Sequence, residues 1–249
     1  MKKLVFILCA CIAISSTYAQ DFTKSLEGMQ WVKIASKAEI VIKTHSKNEL
    51  LIKIGSRAKT PSRAKGLKLV GEGGSDNTDV GFHVVEDGSN LLVRNLRKSE
   101  GAEIYLPENQ NISVVSKGHG DIKIYGFKGE VEASAQLNGS ILIVDVTGPV
   151  TADALNGSLD ISFTKVNQQI PISLYTTNGA LDVTIPSSTP ANLSLSSING
   201  EIYTNFDLKL PEEKGLKAVY AKKVKGSINK GGVHIQLKST NGNIYLRKE

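Results

Sequence analysis

Two aspartates at matching positions of neighbouring repeats are the residues of this chain best placed to carry out chemistry. Asp160 and Asp182 each lie three residues after the glycine of an Asn-Gly pair. If the repeats stack as parallel strands, the two carboxyl groups stand about 5 Å apart. That spacing suits the carboxylate pair of a retaining glycosidase or a calcium site. The equivalent residues of the flanking repeats are Tyr203 and Leu142, and no His or Arg recurs nearby, so we expect two solvated aspartates.

The other residue types that catalyse reactions or bind metals are not arranged as known sites require. The four histidines are scattered without metal-ligand spacing: His45, His83, His119 and His234. The sequence contains neither a Gly-x-Ser-x-Gly elbow nor a phosphate-binding Gly-rich loop that ends in Gly-Lys-Ser/Thr. We therefore predict no catalytic residue, no metal site and no cofactor, and we retain a glycan-active enzyme using Asp160 and Asp182 as a third hypothesis.

Short strands introduced by Asn-Gly turns are the elements that would position these aspartates. After a looser copy at Gly120, five turns follow: Asn138-Gly139, Asn156-Gly157, Asn178-Gly179, Asn199-Gly200 and Asn241-Gly242. Their glycines are separated by 19, 18, 22, 21 and 42 residues, and we interpret the last interval as two steps of 21. A period of about 20 residues is typical of a solenoid. We predict that Asn and Gly adopt positive φ at each corner and that stacked Asn amides bond along the axis.

Apolar and polar residues alternate on both sides of each turn, which predicts strands with one buried and one wet face. The strand before the first Asn-Gly turn is one residue out of register, which predicts a β-bulge near Leu137. Amphipathic tyrosines on the wet face can stack on sugars or anchor a protein contact. The predicted contact face contains Tyr125, Tyr203 and Tyr245.

The first part of the chain alternates in the same way but lacks the regular turns. We predict that residues 20–110 form an antiparallel or mixed β cap continuous with a β-solenoid over residues 111–249. Two basic segments interrupt the pattern, an exposed loop at 57–78 and an insertion at about 207–231. Either segment is a passive loop or a contact for phosphate or acidic glycans.

The N-terminus has the features of an export signal. Lys2 and Lys3 precede an apolar stretch at 4–14, which is too short to cross a bilayer, and a small-x-small site ends at Ala19. We predict a signal peptide over residues 1–19 cleaved before Gln20, with a lipoprotein lipidated at Cys11 as the alternative. The remaining chain has no stretch that would form a transmembrane helix. Its net charge of about +4, after loss of two lysines from +6, is too modest to indicate nucleic acid.

A succession of Gly-Asp-Ile and Asn-Gly-x-Ile turns runs from Gly120 to Gly242, and the chain ends in Asn243-Ile244-Tyr245-Leu246. Over about residues 30–249 this pattern resembles the putative adhesin family of bacterial envelope proteins and the related head-GIN domains. The resemblance implies an all-β, right-handed parallel β-helix, or β-solenoid, that is secreted and has no established catalytic residues. Its motifs are structural turns, so they are specific for fold rather than for function.

Two function hypotheses follow for a non-enzymatic exported protein. In the first, the protein is an adhesin or a surface or periplasmic binding module whose partner is a host or matrix glycan or protein. In the second, it is a periplasmic scaffold or sensor component of envelope homeostasis that works with membrane proteins. The sequence itself identifies neither the ligand nor the oligomeric state.

Overall fold

The structure of the protein, a computed structural model, describes residues 21–54, 61–209 and 222–249. The predicted signal peptide, with its cleavage site at Ala19 and Gln20 and with Cys11, lies outside these residues. The described chain contains β-strands and one short 3-10 helix, Ser62–Ala64.

The strands of the first half are β1 (Phe22–Ser25), β2 (Trp31–Ser36), β3 (Ile40–His45), β4 (Glu49–Ile54), β5 (Val70–Gly71), β6 (Gly74–Ser75), β7 (Phe82–Asp87), β8 (Asn90–Asn95), β9 (Ala102–Pro107), β10 (Asn111–Ser116) and β11 (Ile122–Tyr125). Those of the second half are β12 (Val131–Asn138), β13 (Ile141–Val146), β14 (Val150–Asn156), β15 (Leu159–Phe163), β16 (Ile172–Asn178), β17 (Leu181–Ile185), β18 (Ala191–Ser197), β19 (Ile202–Thr204), β20 (Lys222–Ile228), β21 (Val233–Asn241) and β22 (Ile244–Lys248).

Two sheets of ten strands face each other, and each coil contributes one strand to the first sheet and one strand to the second. Sheet 1 has the order β1-β4-β9-β3-β11-β13-β15-β17-β22-β19, and sheet 2 has the order β20-β18-β21-β16-β14-β12-β10-β2-β8-β7. Equivalent residues stack on equivalent residues, so Ile141, Leu159, Leu181 and Ile244 are consecutive register partners. All four are fully buried, and each such side chain stabilises the fold by about 1.5–3 kcal/mol. The predicted parallel β-solenoid is confirmed.

The coils do not stack in chain order at either end. The coil β8–β9 comes after the coil β2–β3 in the chain, but it stacks on the side of β2–β3 that faces the N-terminal end of the solenoid. At the other end, β21–β22 is inserted between β16–β17 and β18–β19. The glycine that neighbours Gly179 is therefore Gly242 rather than Gly200. Our interpretation of the 42-residue interval as two successive coils is wrong.

Antiparallel strands cover both ends of the parallel stack. In sheet 1, β4 pairs with β9 and β1 pairs with β4, while in sheet 2, β7 pairs with β8. The predicted mixed character of the N-terminal region is thus confirmed, but this region also supplies two parallel coils, β2–β3 and β8–β9, ahead of residue 111. At the opposite end β20 pairs antiparallel with β18. The predicted insertion at 207–231 is therefore partly a cap strand, and residues 210–221 lie outside the described chain.

The Asn-Gly corners are tight because successive coils approach closely there. A Cβ on Gly139 would lie 2.6 Å from the carbonyl oxygen of Gly120. A Cβ on Gly157 would overlap the carbonyl oxygen of Gly139. Among the five pairs no Asn has positive φ, and Gly179, at +159°, is the one glycine that does, close to extended backbone. The predicted positive φ is wrong. These positions require Gly because there is no space for a side chain between coils.

Side chains also bond along the axis at these corners. The Nδ2 atoms of Asn178, Asn241 and Asn199 each donate to the Oδ1 atom of the Asn of the adjacent coil, at 2.7, 2.7 and 2.8 Å. Beneath them, buried hydroxyls donate to corner carbonyls, for example Thr176 Oγ1 to Gly157 O at 3.0 Å. The bulge predicted near Leu137 is confirmed, because β12 has one more residue than β14 between Ala135 and Asn138.

Over its described residues, the basic segment at 57–78 is more ordered than the expected loop. It contains the 3-10 turn at Ser62–Ala64 and the hairpin β5–β6. Asn77 fixes the end of this segment to β7, since its side chain donates to Val84 O at 2.8 Å and accepts from Val84 N at 2.9 Å. Within the described chain, no helix is long and apolar enough to cross a membrane.

Candidate functional site

The two aspartates predicted to be adjacent are direct register partners. Asp160 on β15 faces Asp182 on β17 across neighbouring parallel strands on the outer face of sheet 1. Desolvation raises the pKa of Asp160 above its ordinary value, and the negative charge of Asp182 raises it further. Asp160 therefore holds its proton more readily than a fully solvated carboxyl group would.

An arginine that the sequence analysis did not place here pairs with Asp182. Arg247 donates from Nε and Nη2 to the two carboxylate oxygens of Asp182, each at 2.7 Å. Because β22 is inserted beside β17, the register neighbour of Asp182 is Tyr245 rather than Tyr203. The predicted neighbour was wrong, as was the expectation that no Arg lies nearby. Charge complementarity between Asp182 and Arg247 was the sequence signal that could have revealed the order of the coils.

This ion pair changes what the two carboxylates can do. A retaining glycosidase needs one protonated acid and one free carboxylate nucleophile. Here the carboxylate that would have to act as the nucleophile, Asp182, is held in a two-pronged contact with Arg247. The geometry is that of an ion pair that joins two coils, with Asp160 beside it, and it gives no support to the glycan-active enzyme.

Two tyrosines stack next to this ion pair. The rings of Tyr203 on β19 and Tyr245 on β22 have centroids 5.4 Å apart and an interplanar angle of 11°. The guanidinium of Arg247 lies 5.4 Å from the Tyr245 ring centroid, and Asn243 Nδ2 lies 3.0 Å from the Tyr245 hydroxyl, to which it donates. The Tyr245 ring is thus held on several sides, and Tyr203 covers its outer face.

The orientation of the stack determines which ring surface is available. The two tyrosines are register partners on adjacent strands, so the stack runs along the solenoid axis and the ring faces look along the sheet. Among the described residues β19 is the last strand of sheet 1, so the ring face of Tyr203 that points away from Tyr245 looks towards the end of the stack, and Tyr203 is 51% exposed. An open groove of about 590 Å³ lies beside it, lined in part by Asn205, Arg247 and Glu249.

The third tyrosine of the predicted contact face lies elsewhere. Tyr125 is on β11, which β13, β15 and β17 separate from β22 in sheet 1. Four strand spacings correspond to about 19 Å. The structure therefore brings together Tyr203 and Tyr245 and leaves Tyr125 as a separate residue of the same outer face.

The histidines are dispersed in the structure as they are in the sequence. His45 and His83 contact the backbone carbonyls of Glu49 and Ser75, at 2.8 and 2.7 Å. His119 lies at a corner, where its Nδ1 is 3.0 Å from Nδ2 of Asn138. In the described part of the chain, no three metal-ligating side chains of the His, Cys, Asp and Glu types gather into a group that could hold an ion.

Two solved structures align with this chain at low sequence identity. A putative cell adhesion protein from Clostridium sporogenes ATCC 15579 is 10% identical, with a TM-score of 0.48 over 92% of this chain and 99% of that chain. A putative adhesin from Bacteroides fragilis NCTC 9343 is 12% identical, with a TM-score of 0.41 over 92% of this chain and 96% of that chain. Sequence identities of 10% and 12% with TM-scores below 0.5 transfer no function to this chain. A search of curated proteins found no match.

The family match is stronger, and it agrees with the resemblance noted in the sequence. The family model described as Toastrack DUF4097 matches residues 110–247, which is more than half of the chain and contains every Asn-Gly corner. The protein belongs to the Toastrack DUF4097 family.

Proposed function

We propose that this protein is a non-enzymatic, exported envelope protein that acts as a binding module, and that its contact surface is the C-terminal end of sheet 1. The observation that carries the proposal is the Tyr203–Tyr245 stack beside an open groove. An aromatic ring with one free face and a polar hydroxyl suits the apolar face and the hydroxyl groups of a sugar. We therefore name a host or matrix glycan as the partner class.

The neighbouring groups support this assignment. Tyr245 is fixed by Arg247 and Asn243, and the Tyr203 ring that a ligand would contact rests on it, which limits the side-chain freedom that binding would remove. The groove also carries the carboxylate of Glu249, which can accept hydrogen bonds from sugar hydroxyls. Its wall is held in place by Asn205, whose Oδ1 accepts from Lys248 N at 2.7 Å. The ion pair between Asp182 and Arg247 ties the two coils below the stack together.

A binding experiment with a matched tyrosine tests the proposal. The exported protein is applied to a printed array of neutral and acidic matrix glycans, and its affinity for any positive glycan is measured by calorimetry. Tyr203→Ser should weaken binding about tenfold, because the free ring face is lost. Tyr125→Ser, on the same sheet face but five strands and about 24 Å from Tyr203, is the control and should leave binding unchanged. No binding by the wild type, or equal losses in both variants, would overturn the proposal.

The place of the protein in the envelope distinguishes adhesion from the scaffold hypothesis. Intact cells are treated with protease, and this protein is detected by antibody beside a known periplasmic protein. Loss of this protein while the periplasmic one survives supports surface display. Survival of both until the outer membrane is broken contradicts adhesion and favours the periplasmic scaffold or sensor that works with membrane proteins.

A further inference from the structure

A cationic cavity lies at the N-terminal end of the stack, opposite the tyrosine pair. Its volume is about 240 Å³, and it forms where the hairpin β5–β6 folds over the corner that follows β8, β2 and β10. Those three strands are consecutive in sheet 2. Lys37 and Lys117 directly follow β2 and β10, so they stand at matching positions of neighbouring coils, about 4.8 Å apart along the axis. Lys98, three residues after the end of β8, lines the same cavity.

The charges around this cavity are only partly balanced. Glu72 is the one acidic residue among the described residues that line it, and it is shared between Lys37 and Lys117, at 3.6 Å from each. Arg94 lines the cavity as well, and its Nη1 donates to the neutral carbonyl of Gly73 at 2.9 Å. With Lys98 added, the lining has a clear positive excess in a site of restricted volume. Such a site attracts an anion.

Apolar side chains project from the same edge. Leu67 and Val70 are 71% and 72% exposed, and Leu69 is 39% exposed. The lysines beside them in the chain, Lys65 and Lys68, are exposed too.

These side chains are held outward by a fixed backbone. The amide of Asp76 donates to the carbonyl of Leu69 at 2.8 Å, and the bond from Arg94 to Gly73 ties the hairpin to β8. The apolar residues of 67–70 therefore cannot easily fold back onto the protein. We call Leu67, Leu69 and Val70 the apolar lip.

We propose that the apolar lip and the cationic cavity dock this end of the solenoid onto the surface of an anionic phospholipid bilayer. The phosphate groups of the lipids enter the cavity, and the side chains of the lip enter the interfacial region of the bilayer. A soluble anion would account for the lysines but not for the lip, whereas an apolar protein partner would leave the positive charge uncompensated. Basic residues next to exposed apolar residues match both features of a membrane surface.

The proposal is independent of the glycan contact. The cavity spans the first three coils of the stack, and the Tyr203–Tyr245 pair lies on the last two. The two surfaces are on the order of 25 Å apart along the axis. Docking at one end would leave the other end free to bind.

Vesicle flotation tests the docking. The exported protein is mixed with vesicles of phosphatidylcholine alone or of equal parts phosphatidylcholine and phosphatidylglycerol, and the excess bound to the anionic vesicles is measured. Lys37→Gln combined with Lys117→Gln should lower this excess about tenfold or more. Leu67→Ser combined with Val70→Ser should lower binding by a factor on the order of ten. Added salt should weaken the wild type more than the lysine variant.

Matched variants at the far end of the stack serve as controls. Lys223→Gln with Lys225→Gln removes two exposed lysines from β20, and Ile198→Ser removes an apolar residue that is 49% exposed. Both should bind as the wild type does. Equal binding to the two kinds of vesicle, or equal losses in the controls, would overturn the proposal. Dependence on the lysines without dependence on the apolar lip would mean a site for soluble anions, which also overturns it.

Discussion

The substitution Gly157→Ala tests the close approach of the coils at the Asn-Gly corners. The added Cβ would overlap the carbonyl oxygen of Gly139, at a separation that real Cβ atoms essentially never show. The corner is held on both sides, because Gly157 N donates to Asn178 O at 2.9 Å and Gly139 N donates to Asn156 O at 3.2 Å. Relief of the overlap must therefore move one coil away from the next and stretch these bonds.

The expected cost follows from these contacts. Overpacking of a tight site costs about 1–3 kcal/mol, and each weakened hydrogen bond costs about 1 kcal/mol. We expect a loss of about 3–5 kcal/mol in the free energy of unfolding. For a chain of this length, this corresponds to a fall of about 6–20 °C in Tm. The loss arises from contact between coils, since Gly157 does not have positive φ.

A glycine in an open turn provides the control. Gly88 has a φ of +59°, and a Cβ on it would meet nothing within 4 Å. Gly88→Ala should cost only about 1–2 kcal/mol, the strain of a left-handed alanine. Urea and thermal unfolding of both variants measure the difference. If Gly157→Ala were no more destabilising than Gly88→Ala, the close approach of the coils would not be the reason for glycine at this corner.

Three further predictions concern the stack. Thr176→Val removes the buried hydroxyl that donates to Gly157 O and should cost about 1–2 kcal/mol in urea unfolding, and an unchanged midpoint would contradict it. Desolvation and the charge of Asp182 raise the folded-state pKa of Asp160, so ionisation of Asp160 weakens the fold as pH rises through that pKa. In a carbon-13 carboxyl titration, Asp182→Asn should lower this pKa only partway, because the desolvation remains, and an unchanged pKa would refute the role of Asp182. The amide of Ile244 should exchange as slowly as those of the central coils, whereas rapid exchange would contradict its enclosure between β17 and β19.

The repeating part of the fold was predictable because its physical causes are local. Alternation of Leu159, Asp160 and Ile161 defines one buried and one wet face without reference to any other strand. Each corner then sets the register of the next strand, which is why the adjacency of Asp160 and Asp182 followed from the sequence. The bulge near Leu137 was predictable for the same reason.

The order of the coils was not predictable from the repeat, because every coil presents the same apolar pattern to its neighbours. The repeat alone allows either Gly200 or Gly242 to be the neighbour of Gly179, because both glycines follow an Asn and begin a similar strand. The polar outer face distinguishes the two orders, since Asp182 pairs with Arg247 because β22 lies beside β17. The sequence also places a turn at Asn229, Lys230 and Gly231, all with positive φ, that carries the chain from β20 to β21. A pattern search based on turns and alternation does not use these signals.

The candidate contact surface also depends on the insertion of the coil β21–β22 between β16–β17 and β18–β19. Tyr203 is on β19 and Tyr245 is on β22, two strands that are neighbours only because the end of the chain enters between coils already present. The Arg247 that fixes Tyr245 and pairs with Asp182 arrives with the same strand. A chain that ended before β21 would contain Tyr203 but neither its stacking partner nor the groove beside it. The tyrosine pair and the ion pair with Asp182 therefore both depend on the position of β22.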